Sequence, residues 1–397
     1  MIWDYQFKKC FMVKFIPTLF SFAIIIQTAT AQITALSDST YQTVGVKKYI
    51  PVFSQNISER LTFPLSWLSG NYKDFSAWKK AAHAKALECL LAPPPPAPFY
   101  PVIIAEQDRG SYVARKIVFN ISADSRVLGY LLVPKGRGRF PAVLLMHDHG
   151  GRFDIGKEKI IQPFDDTTGR PKSAREWVDK LYGGRFIGDE LAKRGYVCFA
   201  TDALNWSDRG GAGGEGQQAV ASNLLNLGMS FAGLIAWEDM RAAEFLASQP
   251  EVDSTRVVSM GLSLGAYRAW QVAALSEHIA GGVAICWLST IKSQMAEGSN
   301  QTRGSSAFTM THPNLSNYLD YADVASLACP KPMLFYNGTQ DRLFPVAGVQ
   351  EAYDKLQRVW ASQHTEKKLE TKLWDAGHIF NREMQDAAFD WLDKHFK

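Results

Sequence analysis

Gly261-Leu262-Ser263-Leu264-Gly265 follows the apolar run Arg256-Val257-Val258-Ser259-Met260 and leads into Ala266-Tyr267-Arg268-Ala269-Trp270. The pattern changes there from a short buried strand to a helix. A G-x-S-x-G pentapeptide at such a corner has the form of a nucleophile elbow, in which a strained turn lifts the serine hydroxyl above the sheet. Glycines stand two residues to either side because a Cβ there would collide with the turn. The stretch therefore predicts a parallel sheet with Ser263 at a strand's C-terminal end and acyl-transfer chemistry at its hydroxyl.

A serine hydroxyl is hardly ionised at neutral pH, so it needs a base, and the base needs an acid to orient it. With this elbow the partners follow in the order acid, then histidine. Lys331-Pro332-Met333-Leu334-Phe335-Tyr336-Asn337 reads as a buried strand that runs into Gly338-Thr339-Gln340-Asp341-Arg342-Leu343-Phe344-Pro345. Asp341 is the expected acid. Lys372-Leu373-Trp374-Asp375 is a last short strand, followed by Ala376-Gly377-His378-Ile379-Phe380, and His378 is the expected base. Taken singly, Asp341 has a lesser reading as a helix cap and His378 as a loop histidine; the three residues in one chain order argue for a triad. The backbone N–H of Leu264, directly after the candidate nucleophile, is the expected first oxyanion donor.

The rest of the chain fits the same architecture. Val113 to Phe119 and Val127 to Val133 read as an antiparallel opening, followed by short apolar runs at 142–146, 197–200, 257–260, 283–286, 333–336 and 371–374. Helical patterns at 186–194, 230–248, 264–276, 346–361 and 381–396 separate several of them. Strands alternating with helices predict a mostly parallel eight-stranded α/β sheet covered on both faces. Residues 32–101 do not follow that rhythm and read as an N-terminal extension packing on a catalytic domain at 102–397. Its strongest element is a helix from Asp74, the candidate N-cap, to Leu91, ahead of Pro93-Pro94-Pro95-Pro96. Two long insertions, 150–184 and 289–328, are expected to shape the pocket.

At the N-terminus, Lys8, Lys9 and Lys14 precede the apolar run Phe15 to Ile26, and Ala29-Thr30-Ala31 supplies small residues for cleavage before Gln32. Residues 1–31 thus read as a secretory signal, from Met1 or from Met12, and the dozen apolar residues fall short of the roughly 20 that span a bilayer. Cleavage would remove three lysines and Asp4, taking Lys plus Arg from 43 to 40 and Asp plus Glu from 39 to 38, a net charge of +2. That balance argues against a nucleic-acid partner. Cys89, Cys198, Cys286 and Cys329 remain without C-x-x-C spacing, two of them in core-strand patterns, and read as buried free thiols.

Gly-Leu-Ser-Leu-Gly, Gly-Thr-Gln-Asp-Arg-Leu-Phe-Pro and Asp-Ala-Gly-His, with Tyr130-Leu131-Leu132-Val133-Pro134 and Gly156-Lys157-Glu158-Lys159, resemble α/β-hydrolases of the dienelactone hydrolase and acetyl xylan esterase type. The likeness runs over roughly 110–397 and is nearest to secreted bacterial proteins described as acetyl xylan esterase-like. It implies an α/β-hydrolase fold, a serine-hydrolase mechanism without metal or organic cofactor, and an exported, periplasmic or secreted esterase. Its substrate would be a small-molecule or oligosaccharide ester, with acetyl on a carbohydrate the first choice. The family's His-Gly-x pattern, laid on Met146-His147-Asp148-His149-Gly150-Gly151, selects the His149 N–H as second oxyanion donor, although Asp148 stands where glycine is usual. The same loop read as a metal site through His147, Asp148, His149 and Asp154 lacks a matching second set of ligands. Trp206 and Trp287, each just past a strand end, are candidate sugar platforms as much as core residues. A serine peptidase, a lactone hydrolase and a noncatalytic carbohydrate-binding component of an uptake complex are the competing readings. The stretch of about 70 residues before the hydrolase is too short for the propeller that gates related peptidases, and the lactone hydrolases more often resemble a cysteine-nucleophile pattern.

Overall fold

The computed structural model describes residues 45–164 and 167–397; the expected signal at 1–31 lies outside them. Two compact units divide at Ser54 and Gln55. The described part of the first is a small antiparallel hairpin, β1 (Val46–Lys47) with β2 (Ile50–Pro51).

The second unit is built on one nine-stranded sheet. Its strands are β3 (Val102–Asp108), β4 (Tyr112–Asn120), β5 (Arg126–Pro134), β6 (Phe140–Met146), β7 (Val197–Thr201), β8 (Val252–Leu262), β9 (Gly281–Ile285), β10 (Met333–Gly338) and β11 (Leu369–Trp374), in the spatial order β11-β10-β9-β8-β6-β7-β5-β4-β3. β6 to β11 are parallel, whereas β3, β4 and β5 run antiparallel to their neighbours. This is the α/β-hydrolase architecture expected from the sequence, with nine strands where eight were expected. The additional strand is β3, at the sheet edge, where Val102, Ile103 and Ile104 are all exposed. An edge strand with no buried face leaves no period-2 signal to read.

The central strands are buried on both faces, which is why they read as continuous apolar runs rather than as alternations. Along β6, Ala142, Leu144 and Met146 join one core cluster while Val143 and Leu145 join the other. The first cluster is covered by α1 (Phe75–Cys89), and the helix Phe231–Ala247 and the helix Leu264–Leu275 lie against it as well. Asp74 caps α1 by accepting the Ala77 N–H at 2.6 Å, and Trp78, Ala82 and Ala86 on one face of α1 are buried in that core. Burial of a side chain the size of Trp78 stabilises by roughly 3 kcal/mol. Residues 55–101 thus belong to the same compact unit as the sheet. The opposite face is covered by α2 (Arg170–Leu181), α3 (Ile187–Lys193) and the C-terminal helix Arg382–Phe396, whose Met384, Phe389 and Leu392 are buried. The four described cysteines are free and buried.

The order β8-β6-β7-β5 carries the functional consequence. β7, later in the chain than β6, sits between β5 and β6, so connections diverge around β6 and leave a crevice beyond the carboxyl ends of β6 and β8, where ligands of open α/β sheets bind.

Candidate active site

Further helices are α4 (Gln217–Asn226), α5 (Phe231–Ala247), α6 (Leu264–Leu275), α7 (Tyr321–Ser326), α8 (Val346–Ser362) and α9 (Arg382–Phe396). Ser263 stands between β8 and α6 with φ 58° and ψ −124°, a conformation that β-carbon-bearing residues adopt only under strain. Its N–H donates to the Ile285 carbonyl at 2.9 Å, and its carbonyl accepts from Ala266 and Tyr267 at 2.8 and 3.0 Å. The turn is therefore fixed from both sides. A Cβ at Gly261 would overlap the backbone of Gly265, and one at Gly265 would overlap the Met146 carbonyl at the end of β6. The glycines let the elbow press against the neighbouring strand end. Leu264 is the first residue of α6, so its N–H is among those that a helix leaves without an internal partner.

Asp341 follows β10 and His378 follows β11, adjacent parallel strands whose register carries both loops to the same end of the sheet. His378 Nδ1 lies 2.6 Å from Asp341 Oδ2. The carboxylate only accepts, so Nδ1 carries the proton and Nε2 is left as the basic nitrogen. Asp341 Oδ1 accepts the Leu343 N–H at 2.9 Å, which fixes the carboxylate plane, and its side chain is fully buried. The His378 ring stacks on Phe344 with centroids 6.0 Å apart and keeps one edge open.

Ser263, His149 and His378 all line one cleft of about 530 Å³. Gly150, Gly151, Trp177, Lys180 and Leu181 come to it from the first insertion, and Asn300, Arg303 and Ser306 from the second. Asp341 sits behind His378. A separate groove of about 710 Å³, lined by Lys79, His83 and Lys331 among others, is larger but holds none of these groups.

The loop after β6 is held on every side. His147 accepts the Ala203 N–H on Nε2 at 3.0 Å, so its Nδ1 donates to the Asp148 carbonyl at 2.8 Å. Burial keeps the His147 pKa well below its ordinary value, and the ring neutral. Asp148 Oδ2 accepts from Tyr182 Oη at 2.8 Å and from Trp177 Nε1 at 3.1 Å. The fully buried Lys159 ammonium donates to the carbonyls of Asp148 and His149 at 3.1 and 2.9 Å. His149 Nε2 meets Gln217 Oε1 at 2.7 Å.

Next to it lies a second buried ionic group. Lys157 Nζ is 2.7 Å from Asp202 Oδ2, 2.7 Å from Asp208 Oδ2 and 3.0 Å from Glu158 Oε1. Burial opposes charge on Lys157, but the surrounding carboxylates outweigh it and raise its pKa, so the lysine stays charged. Burial pushes the Asp202 carboxyl up to about 6 against the pull of Lys157.

The model of the Abhydrolase family matches residues 60–377, most of the chain. The chain belongs to the Abhydrolase family. A protein of Bacillus subtilis (strain 168) named as a hydrolase, YtaP, is 26% identical to this family member over 289 residues, 72% of this chain and 90% of the relative. Among solved structures, the glucuronoyl esterase from Solibacter usitatus superposes with a TM-score of 0.62 at 13% identity, covering 85% of this chain and 98% of the other. The acetyl xylan esterase from Paenibacillus sp. R4 gives 0.52 at 17% identity, over 82% and 96%. At such identities the structural likeness carries the fold.

Of the two readings open for Trp206 and Trp287 in this Abhydrolase chain, sugar platform or core residue, burial fits the core. Trp206 and Trp287 are both fully buried and neither lines the cleft. Trp206 stacks on Phe153 with centroids 5.1 Å apart and donates Nε1 to the His149 carbonyl at 2.9 Å. Trp287 packs among Tyr267, Trp270, Tyr321 and Phe344. The reason is local: Cys286 has φ 57°, and this left-handed residue turns the chain so that the following indole enters the core. Sequence reading missed Lys159, Tyr182 and Trp177, which hold the loop, and Lys180 and Arg303, which line the cleft. One signal was present for Lys159, since Gly156-Lys157-Glu158-Lys159 belongs to the stretches that carry the family resemblance. Cys286 was read only as a buried thiol, yet its sulfur lies within 4.8 Å of ligand atoms of both Asp341 and His378, the one such cluster among the described residues with metal-ligand spacing. Burial and the neighbouring Asp341 push the Cys286 thiol up, which keeps it protonated and a poor ligand.

Proposed function

We propose that the protein is an exported serine esterase that removes acyl groups, acetyl foremost, from a carbohydrate. The observation that carries the reading is the pairing of His378 Nδ1 with the buried Asp341 carboxylate at 2.6 Å on a cleft that also takes in the strained elbow of Ser263. In the proposed reaction Ser263 Oγ attacks the ester carbonyl while His378 Nε2 takes its proton. Asp341 holds the ring in the tautomer that leaves Nε2 free to accept and stabilises the imidazolium that forms. The carbonyl oxygen, now negative, is met by the N–H groups of Leu264 and of the His149 loop. His378 returns the proton to the leaving alcohol, and a water molecule activated by the same nitrogen releases the acid from Ser263.

Carbohydrate specificity is supported by the cleft lining, in which Asn300, Ser306 and the open glycine loop offer hydrogen-bonding groups beside apolar Leu181, Leu262 and Leu343. An ester within a partly esterified polyuronate is a second reading: the ester itself is neutral, but Lys180 and Arg303 line the same cleft and suit the free carboxylates of neighbouring uronate residues. Acid release from acetylated oligosaccharides and from methyl uronates, by the wild type and by Ser263→Ala, separates these. Acetate release lost in Ser263→Ala supports the first reading. Cleavage confined to uronates favours the second, and full p-nitrophenyl acetate turnover by Ser263→Ala overturns the serine mechanism.

A further inference from the structure

Lys159 is a buried cation that the proposed chemistry does not use. Its side chain is fully buried, it donates to two successive carbonyls of the loop after β6, and it stands 3.7 Å from the Asp148 carboxylate. A trans peptide places the carbonyl of one residue and the N–H of the next on opposite sides of a rigid plane. The only cis bond among the described residues is Cys329–Pro330. The Asp148 carbonyl and the His149 N–H therefore share one plane, and the His149 carbonyl and the Gly150 N–H share the next. The first carbonyl is held by Lys159 and His147, the second by Lys159 and Trp206. Both amides must point away from the buried ammonium, and among the described residues neither donates to a protein group. Gly150 has φ 47°, in the left-handed region that glycine adopts without strain. A Cβ there would come 2.8 Å from Asp148 Oδ1 as well as into Trp177, so only glycine fits.

Resting on the esterase reading, we propose that Lys159 is a positioning residue: by bridging the carbonyls of Asp148 and His149 it turns the His149 and Gly150 amides together toward the Ser263 side of the cleft. The loop then offers two adjacent donors to the oxyanion. The ammonium acts in two further ways. Hydrogen bonding to a carbonyl polarises its peptide unit and strengthens the N–H at the other end. It also offsets the Asp148 carboxylate, whose Oδ1 has no hydrogen-bond partner among the described residues and whose charge would otherwise oppose the oxyanion.

The test is Lys159→Met, which keeps the length of the side chain and removes its charge and donors. With p-nitrophenyl acetate, kcat falls about 10²- to 10³-fold, the range for a lost oxyanion donor, while KM changes less than about threefold. The Ki of a trifluoromethyl ketone rises by the same factor as kcat/KM falls, a correlation that a lysine serving only stability would not produce. Trp206→Phe, which removes one donor to the His149 carbonyl, shows the same pattern at about tenfold and decides the matter if Lys159→Met does not fold. Unchanged kcat in a folded Lys159→Met, or in Trp206→Phe when that variant decides, overturns the proposal, as does a loss of activity with ketone affinity intact. Failure of the esterase reading itself is visible separately, as the absence of any Ser263-dependent turnover in the wild type.

Discussion

Replacing Asp341 by asparagine tests the candidate triad without disturbing its shape. In the native protein the two carboxylate oxygens have distinct tasks: Oδ1 accepts the Leu343 N–H at 2.9 Å, and Oδ2 faces His378 Nδ1 at 2.6 Å. An asparagine must keep its carbonyl oxygen on the Leu343 N–H, because the NH₂ group cannot accept. Its NH₂ then faces Nδ1 and donates to it. The imidazole is driven into the tautomer protonated on Nε2, which cannot take a proton from Ser263. Loss of the correct tautomer costs about 10⁴-fold in kcat, equivalent to about 5.4 kcal/mol of transition-state stabilisation. Volume and the Leu343 hydrogen bond are conserved, so folding stability changes by only about 1 kcal/mol. Initial rates with p-nitrophenyl acetate and urea midpoints give the two numbers. A folded Asp341→Asn enzyme within tenfold of wild-type kcat would refute the tautomer argument and the assignment of Asp341 with it.

Other perturbations test the frame around the site. Gly265→Ala drives a methyl group into the Met146 carbonyl, which the β6–β8 pairing prevents from moving; a loss of roughly 3 kcal/mol in urea unfolding, together with loss of turnover, is expected. Tyr182→Phe deprives the buried Asp148 carboxylate of its 2.8 Å donor and lowers stability by about 1–3 kcal/mol, and no change in the urea midpoint would contradict that bond. Lys331, which donates to the Ala273 and Ser276 carbonyls, has its pKa lowered by burial to about 8 from an ordinary 10.5. Between those values the unfolded chain holds the proton that the folded chain has released, so this lysine's contribution to stability rises with pH across that window. Urea midpoints at pH 7.5 and 10 should show wild type gaining on Lys331→Met, and parallel behaviour of the two would contradict it.

The parts of this account that the sequence made legible are those whose signal is local. Buried parallel strands are short apolar runs, and the elbow is a pentapeptide whose glycines answer a steric demand within five residues. Asp74 is similarly explicit as a cap. Asp341 and His378 could be chosen because each closes a strand of that kind, although nothing in their surroundings reveals the 2.6 Å contact across 37 residues. The edge strand β3 escaped because its exposed valine and isoleucines carry no alternation. For Trp206 and Trp287 the sequence left platform and core both open, because a position at a strand end does not encode side-chain direction. Asp148 looked anomalous in the loop because its partners, Lys159, Trp177 and Tyr182, stand 11, 29 and 34 residues away and meet it only in the fold. An aspartate in glycine's place fits because a buried cation and two donors receive it.

The most direct test of the central claim is covalent. Brief incubation of the enzyme with a fluorophosphonate, followed by proteolysis and peptide mass spectrometry, should place a single phosphonyl adduct on Ser263, with labelling abolished in Ser263→Ala and slowed in Asp341→Asn in proportion to kcat. An adduct on another residue, or undiminished turnover by an enzyme blocked at Ser263, would contradict it.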